Sequence, residues 1–160
     1  MKSLLSLLLL SILSLPSVVL GVDFDELLKR DGLFYKNFTK VPFTGKTSGR
    51  EQITFKDGKQ HGPYVWYHDN EQLSRKGTYK DGEMDGLFVA YHDNGRLSRK
   101  GTYKDGKQHG PYVWYHKNGQ LRGKGTYKDG KRDGLWLYYD ENGLLFANGI
   151  FKDGKGMAID

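Results

Sequence analysis

The stretch KDGKQHGPYVWYH at residues 56–68 decides the fold, because the same thirteen letters return at residues 104–116. An aromatic residue followed by Lys-Asp-Gly occurs at five places, with a constant period of 24 residues. These aromatic residues are Phe55, Tyr79, Tyr103, Tyr127 and Phe151. Self-similarity at a fixed period of this length is typical of proteins that stack copies of one supersecondary unit. The sequence therefore indicates a repeat protein.

Each repeat contains two segments with the character of β-strands. The first is an aromatic and β-branched run, such as YVWY at residues 64–67, which suits a pleated surface. The second, at residues 73–79 in the first copy, alternates with a period of two, which favours a strand over a helix. At two strands per unit, the sequence predicts an all-β protein with about nine or ten strands. We expect a single elongated, twisted antiparallel meander of stacked β-hairpins.

Tight turns are predicted at both ends of these hairpins. Asn-Gly pairs close one end and Asp-Gly pairs close the other, and both supply the positive φ that short hairpin turns need. The first copy has Glu71 at the position where the later copies have Gly. We therefore expect the turn at Glu71 to differ from the others.

The first 21 residues differ from the rest of the chain. Residues 1–21 carry Lys2 near the start, then an apolar run from Leu4 to Leu15, then small residues. This is the layout of a secretory signal peptide. The apolar run is shorter than the ~20 residues that span a bilayer as a helix. The sequence thus predicts an exported protein, periplasmic or secreted, and the alternative is a protein held to the membrane by an uncleaved N-terminal segment.

The remaining chain is divided into a cap and a repeat region. Residues 22–54 are predicted to form an N-terminal cap, which starts with a short helix over residues 23–30 and continues as a degenerate first repeat. Residues 55–160 hold the repeats of 24 residues, with a short loose tail after Gly154. The cap is expected to differ from the repeats because the end of a sheet exposes an unpaired edge.

Composition excludes several classes of site. The 160 residues include no Cys, which excludes disulfides, a thiol nucleophile and Cys-bound metals. The formal net charge is +6, but acidic and basic residues are mixed along the chain, so no nucleic-acid partner is predicted.

Two columns of polar residues recur with the repeat and are candidate sites of chemistry. The first column contains His68, His92 and His116. Neighbouring repeats are ~9.6 Å apart, whereas two nitrogens on one zinc are at most ~4.2 Å apart, so no metal site is predicted. The second column contains His61, Asp85, His109 and Asp133, for which a turn-forming or solvated role is expected. The sequence predicts no catalytic residue, cofactor or metal, and hence no enzyme.

Two further sets of residues are candidates for binding. Trp and Tyr are enriched where binding energy concentrates, although packing of the sheet itself also explains aromatic columns. The candidate partner-binding residues are Tyr64, Trp66, Phe88, Tyr112, Trp114, Trp136 and Tyr138. The candidate anion-contacting residues are Arg75, Lys76, Arg99, Lys100, Arg122 and Lys124.

The repeat pattern resembles that of the MORN-repeat-variant family. The matching pattern is Tyr-Lys-Asp-Gly-Lys-x-x-Gly, an aromatic strand and Asn-Gly-x-Leu, and it covers about residues 31–156. The resemblance implies a single twisted sheet of stacked hairpins. For function it implies membrane association, contact with lipid headgroups or protein scaffolding. Many bacterial proteins with this repeat are named YwqK-like antitoxins, and an exported antitoxin requires a partner outside the cytoplasm, such as a contact-delivered toxin.

These observations lead to one functional prediction and one alternative. The chain is predicted to be a non-catalytic, exported protein–protein interaction module with an unknown protein partner. In a special case of this prediction the module is antitoxin-like, and its partner is then a toxin. The alternative is a binder of anionic lipid or of an envelope surface through the Lys and Arg rows of the sheet.

Overall fold

The computed structural model describes residues 21–157, which form 15 strands and one turn of 3-10 helix at Phe24–Glu26. The strands are, in chain order, β1 (Val22–Asp23), β2 (Leu27–Arg30), β3 (Leu33–Lys36), β4 (Gly45–Ser48), β5 (Glu51–Lys56), β6 (Lys59–Tyr67), β7 (Leu73–Lys80), β8 (Glu83–Met84), β9 (Gly86–Tyr91), β10 (Leu97–Lys104), β11 (Lys107–Tyr115), β12 (Leu121–Lys128), β13 (Lys131–Tyr139), β14 (Leu145–Lys152) and β15 (Lys155–Met157).

One long sheet dominates the structure and confirms the all-β meander. It contains 13 strands in the order β1-β4-β5-β6-β7-β9-β10-β11-β12-β13-β14-β15, and β8 pairs with β7. All of these pairs are antiparallel except β1 with β4, which is parallel. Strands β2 and β3 form a separate two-stranded sheet. The sheet exceeds the nine or ten strands expected because β1 and β4 of the cap and the short strands β8 and β15 also join it.

The Asp-Gly turns have the predicted conformation. In the turn between β10 and β11, Asp105 has φ 48° and Gly106 has φ 73°. Positive φ at both central residues is the mark of the type I′ hairpin, whose twist matches that of the flanking strands. The same pair of positive φ values occurs at each of the five Asp-Gly pairs that follow an aromatic residue and Lys in the repeats.

The turns at the other end use a different geometry. The Gly95 N–H donates to the His92 carbonyl at 2.9 Å, and the His92 N–H donates to the Arg96 carbonyl at 2.8 Å. In these turns Gly95 alone of the Asn-Gly pair takes positive φ, at 77°. Glu71 occupies the equivalent position with φ 62° and makes the same kind of bond to His68 at 3.0 Å. The expectation of a different turn at Glu71 is therefore wrong. The flanking hydrogen bonds hold Glu71 in the left-handed conformation, although that conformation is sterically unfavourable for a residue with a Cβ.

Glycines in the strands determine how the aromatic rings of one sheet face pack. This face, called the aromatic face below, carries Tyr64, Trp66, Phe88, Tyr112, Trp114, Trp136 and Tyr138. A Cβ at Gly77 would lie 2.8 Å from the Tyr64 ring, and a Cβ at Gly125 would overlap the Trp136 ring. Glycine in a strand thus lets a cross-strand ring approach the backbone. As a result, this single-layered sheet buries large rings on one side: Trp136 has no exposed area and Tyr64 is 3% exposed.

The N-terminal segment departs from the predicted helix. Residues 23–30 form the single 3-10 turn and then β2, which pairs with β3 across an Asp31-Gly32 turn. Asp31 and Gly32 have φ 49° and 80°, so this is another tight hairpin. A helix this short is marginal in water, whereas the hairpin pairs its backbone groups and buries Leu27.

The cap replaces the repeat that is missing at the start of the array. In the later repeats, the glycine of each Asp-Gly turn donates to a carbonyl of the preceding hairpin, as Gly130 does to Gln108 at 2.8 Å. The Gly58 N–H instead donates to the Phe43 carbonyl of the cap, also at 2.8 Å. The Phe34 ring of the cap lies edge-on to Phe55 with centroids 5.1 Å apart. The cap therefore covers the first edge of the aromatic face.

The C-terminal end is more ordered than predicted. Lys155–Met157 form β15 and pair with β14, so the segment after Gly154 is not a loose tail at these residues. Its backbone completes the last Asp-Gly hairpin and pairs with the final three residues of β14, Ile150 to Lys152. The predicted signal peptide, apart from Gly21, and residues 158–160 lie outside the described residues. Among the described residues, no helix has the length and apolarity needed to cross a membrane.

Candidate functional site

The first histidine column joins neighbouring repeats. Each histidine Nε2 contacts the backbone carbonyl of a tyrosine at the end of the strand one repeat later. The distances are 3.1 Å for His68 to Tyr91 and 2.8 Å for His116 to Tyr139. Since a carbonyl oxygen can only accept a hydrogen bond, Nε2 is the donor and carries the proton. Within residues 21–157 there is no group of three or more His, Asp or Glu residues arranged to hold a metal ion.

The second column lies at the edge of the sheet formed by the Asp-Gly turns. His61 Nδ1 is 3.2 Å from an oxygen of Asp81, and His109 Nδ1 is 3.2 Å from an oxygen of Asp129. Both aspartates belong to the Asp-Gly turn of the next repeat rather than to the column itself. These exposed contacts link successive turns and show no buried acid–base pair.

The candidate partner-binding residues share the aromatic face but differ in exposure. Tyr64, Phe88 and Trp136 are buried within the chain at 3%, 5% and 0% exposure. These three are therefore corrected to core residues, because a partner cannot reach them without unpacking the sheet. The four that remain half-buried are Trp66, Tyr112, Trp114 and Tyr138.

Ring contacts connect the exposed and buried members of this face. Trp114 lies 5.7 Å from Trp136 and 5.8 Å from Tyr138 between ring centroids. Tyr127 lies 4.9 Å from Trp136 and 5.4 Å from Tyr112. These spacings lie in the range where tilted and edge-on aromatic pairs are favourable. The face is therefore held in shape by its own packing.

Burial raises the pKa of several tyrosines on the aromatic side of the sheet. It raises the pKa of Tyr64 to about 12, against an ordinary value of 10.0, and Tyr79 adds to the effect while Arg75 opposes it. Burial also raises the pKa of Tyr103 and of Tyr112, with Arg99 acting in the opposite direction. At neutral pH the formal charge on this face therefore comes from its arginines rather than from tyrosinate.

The structure separates the candidate anion-contacting residues onto the two faces. Arg75 and Arg99 lie on the aromatic face, with their guanidinium groups 3.5 Å from the Trp66 centroid and 5.5 Å from the Phe88 centroid. Arg122 lines a cleft on the same face beside Trp114. The other three residues lie on the opposite face, in register with the valines of neighbouring strands, and this is called the lysine face below: Lys76, Lys100 and Lys124. One flat surface therefore cannot contact all six residues at once.

The cleft at the later repeats contains a residue that sequence reasoning missed. It has a volume of about 380 Å³ and is lined by Arg99, Arg122 and Arg132 together with aromatic rings. Residue type within a strand does not mark Arg132, which stands out only by its departure from its repeat column. The equivalent residues in the other repeats are Gln60, Met84 and Gln108. That departure is the signal by which the sequence could have marked Arg132.

Comparison with known families accounts for the repeat. The model of the MORN repeat variant matches four consecutive segments, at residues 60–81, 84–105, 108–129 and 132–153. The chain belongs to the MORN repeat variant family. MORN repeats are generally non-catalytic modules that interact with proteins or membranes. The four matched segments correspond to the meander from β6 to β14, and the N-terminal cap lies outside them.

Comparison with solved structures and curated proteins adds little to the MORN assignment. Of 17 solved chains that match, one is a chain of the GtfA/B complex bound to UDP and GlcNAc. It is similar with 12% sequence identity and a TM-score of 0.23, over 81% of this chain. This chain spans only 26% of the length of that one. No curated protein matches the chain.

Proposed function

We propose that this MORN repeat protein is a non-catalytic, exported interaction module that binds a protein partner through its aromatic face. One observation carries the proposal: four of the candidate aromatic side chains remain half-buried on the same face on which Tyr64, Phe88 and Trp136 are buried. Rigid aromatic side chains lose little conformational freedom on binding, and Trp, Tyr and Arg are the residues in which interface energy concentrates.

The sheet supports this role by presenting its rings from a fixed frame. Trp114 packs against Tyr138 and against the core ring of Trp136. Arg75 stacks on Trp66 at 3.5 Å and places a charge beside that ring. A surface that is already ordered loses less entropy when a partner binds.

The two neighbouring residues Tyr138 and Tyr139 provide a matched test. Successive strand residues point to opposite faces, so Tyr138 lies on the aromatic face and Tyr139 on the lysine face. A photo-crosslinking phenylalanine is placed at one position or the other in cells that make the protein. We expect a discrete crosslinked protein from position 138, lost when Trp114→Ala is added, and none from position 139. Equal crosslinking from both positions, or none from either, would contradict the proposal.

Export is the second part of the proposal and rests on the layout of residues 1–21. Cell fractionation followed by mass spectrometry of the N-terminus tests it. We expect a chain outside the cytoplasm that begins at Val22. A protein that keeps residues 1–21 would favour the membrane-held form instead. If the crosslinked partner is a toxin, co-expression should restore growth, which would establish the antitoxin-like case.

A second candidate function is binding to anionic lipid or to an envelope surface. The observation that favours it is the row of Lys76, Lys100 and Lys124 on the lysine face, where all three side chains are exposed. Co-sedimentation with phosphatidylglycerol vesicles should then decrease as salt is raised, because salt screens exposed charges. Changing the three lysines to Gln should abolish co-sedimentation, whereas Trp114→Ala should leave it unchanged.

A further inference from the structure

The cleft beside Trp114 differs from the rest of the aromatic face in its charge. Three guanidinium groups line it, from Arg99 on β10, Arg122 on β12 and Arg132 on β13. Its walls include the rings of Tyr112, Trp114 and Trp136. A volume of about 380 Å³ is within the range of sites that hold small ligands or a few side chains.

The repeats provide an internal reference for these arginines. Arg122 occupies a column in which the two preceding repeats have Ser74 and Ser98. Arg132 occupies a column that holds Gln in both copies of the identical stretch, at residues 60 and 108. The fold itself therefore does not require arginine at either position. Both departures nevertheless line the same cleft.

A third departure leaves the ring of Trp114 free. In the first copy, Trp66 lies opposite Arg75, whose guanidinium covers the ring at 3.5 Å. In the second copy, Trp114 lies opposite Gly123. Within residues 21–157 no guanidinium lies over Trp114 as Arg75 lies over Trp66. The second copy thus has more arginines around its tryptophan but none stacked on it.

The charge of the cleft is not balanced inside the chain. No Asp or Glu is among the described residues that line it, and none of its three arginines forms a salt bridge within residues 21–157. Arg132 is held in place, since its Nη1 donates to the Tyr138 hydroxyl at 2.9 Å and its guanidinium lies 4.9 Å from the Trp136 centroid. Arg132 is half-buried, so its charge is screened less by solvent than the charges of the exposed Arg99 and Arg122, and together the three positive groups attract an anion.

We propose that this cleft is the subsite for an acidic segment of the protein partner, with carboxylates on Arg99, Arg122 and Arg132 and a planar side chain on Trp114. This proposal rests on the proposed function, because the partner is the one that binds the aromatic face. The guanidinium group matches the carboxylate group with two parallel hydrogen bonds, which gives direction as well as charge. The occupant is a peptide rather than a membrane because the site is a recess between rings, while the regular cationic row lies on the lysine face.

Calorimetry with two synthetic peptides tests the proposal on the purified protein. The acidic probe is acetyl-Glu-Glu-Tyr-Glu-Glu-amide, and the neutral probe replaces each Glu by Gln. We expect the acidic peptide to bind at least about tenfold more tightly, a difference of about 1.4 kcal/mol. The double variant Arg122→Ser with Arg132→Gln should lose this preference. It should still fold, because Ser and Gln already occupy these columns in other repeats.

A matched control distinguishes binding at the cleft from a general effect of the protein's positive charge. The variant Lys100→Gln with Lys124→Gln also removes two positive charges, but from the lysine face. It should bind the acidic peptide as the unchanged protein does. The proposal would be overturned if both double variants lost acidic-peptide binding equally, or if the two peptides bound equally well. It would also be overturned if neither peptide bound and the protein instead bound phosphatidylglycerol vesicles in a way that Arg122→Ser with Arg132→Gln removes.

The outcomes also distinguish this proposal from the proposed function. If the acidic peptide fails to bind but crosslinking from position 138 still captures a partner, the aromatic face is the interface and the cleft is not its acidic subsite. If crosslinking is equal from positions 138 and 139, the proposed function fails whatever the peptides do.

Discussion

The two identical stretches at residues 56–68 and 104–116 lie in different surroundings. Tyr64 in the first copy is 3% exposed, whereas Tyr112 in the second is half-buried. Tyr64 packs in the core cluster with Ile53 and Phe55, next to the N-terminal cap. Trp66 is covered by Arg75, whereas its counterpart Trp114 faces the arginine-lined cleft.

This difference shows that in a repeat sheet the neighbouring strands set the properties of each copy. The backbone pairing is the same, with Tyr64 opposite Gly77 and Tyr112 opposite Gly125. The side chains supplied by the flanking strands differ, and the cap is present at one end only. Tyr64 of the first copy is therefore a core residue, whereas Tyr112 of the second copy stays partly accessible.

The largest expected effect is on stability when the same tyrosine is removed from each copy. Tyr64→Ala leaves a cavity in the core cluster and should lower the free energy of unfolding by about 3 kcal/mol or more. Tyr112→Ala removes a half-exposed ring and should cost about half as much. Urea unfolding, monitored by circular dichroism, measures the free energy of unfolding of both variants. Equal losses would show that the two copies are equivalent after all.

The second effect is on the response to alkaline pH. Burial raises the pKa of Tyr64 to about 12, whereas it is near 10.0 in the unfolded chain. The unfolded state then loses its proton first, so this stabilisation is complete below about pH 10 and is lost as the pH rises towards 12. By pH 12 the loss is on the order of 2 kcal/mol.

Replacing Tyr64 by phenylalanine tests whether its hydroxyl causes this loss of stability. Tyr64→Phe should flatten the decline of stability between pH 9 and 11, measured by urea unfolding at each pH, because phenylalanine has no proton to lose. Tyr112→Phe should flatten it less, since burial also raises the pKa of Tyr112 but the ring is more exposed. A larger response from Tyr112 would reverse the assigned roles of the two copies.

The smallest effect concerns the turn that follows each copy. Glu71 has φ 62° where Gly119 has φ 91° in the same type of turn. Glu71→Gly should raise the free energy of unfolding by about 0.5–1 kcal/mol, because the left-handed conformation costs a residue with a Cβ about that much or more. Gly119→Glu should lower it by about 1 kcal/mol. Thermal unfolding of the two variants checks the signs, and stabilisation by Gly119→Glu would refute the argument.

Much of the fold could be predicted because its determinants are local. The constant period, the alternation within strands and the Asp-Gly pairs each act over a few residues, and the type I′ turns occur where the pairs are. The prediction failed at residues 23–30, where an acidic start and basic end suggested a helix. There the pairing of β2 with β3 and the burial of Leu27 outweigh that preference.

The candidate site was less predictable because it depends on contacts between strands. Tyr64 and Trp136 are aromatic residues of the same column as Tyr112, yet only the structure shows that they are buried and Tyr112 is half-exposed. The sequence places the basic residues in one row, and alternation in the folded sheet divides that row between two faces. Arg132 departs from its repeat column in the sequence, but only the folded sheet places it in one cleft with Arg99 and Arg122.

The sequence by itself determined the stacked hairpins, their period and the position of every Asp-Gly turn in the repeats, because backbone conformation and strand pattern are set by neighbouring residues. Only the tertiary structure decided which face is buried, how the cap substitutes for a missing repeat, and that three arginines from different strands line one cleft. Those features arise where side chains from separate hairpins meet, and the energy of each contact depends on what the adjacent strand places opposite it.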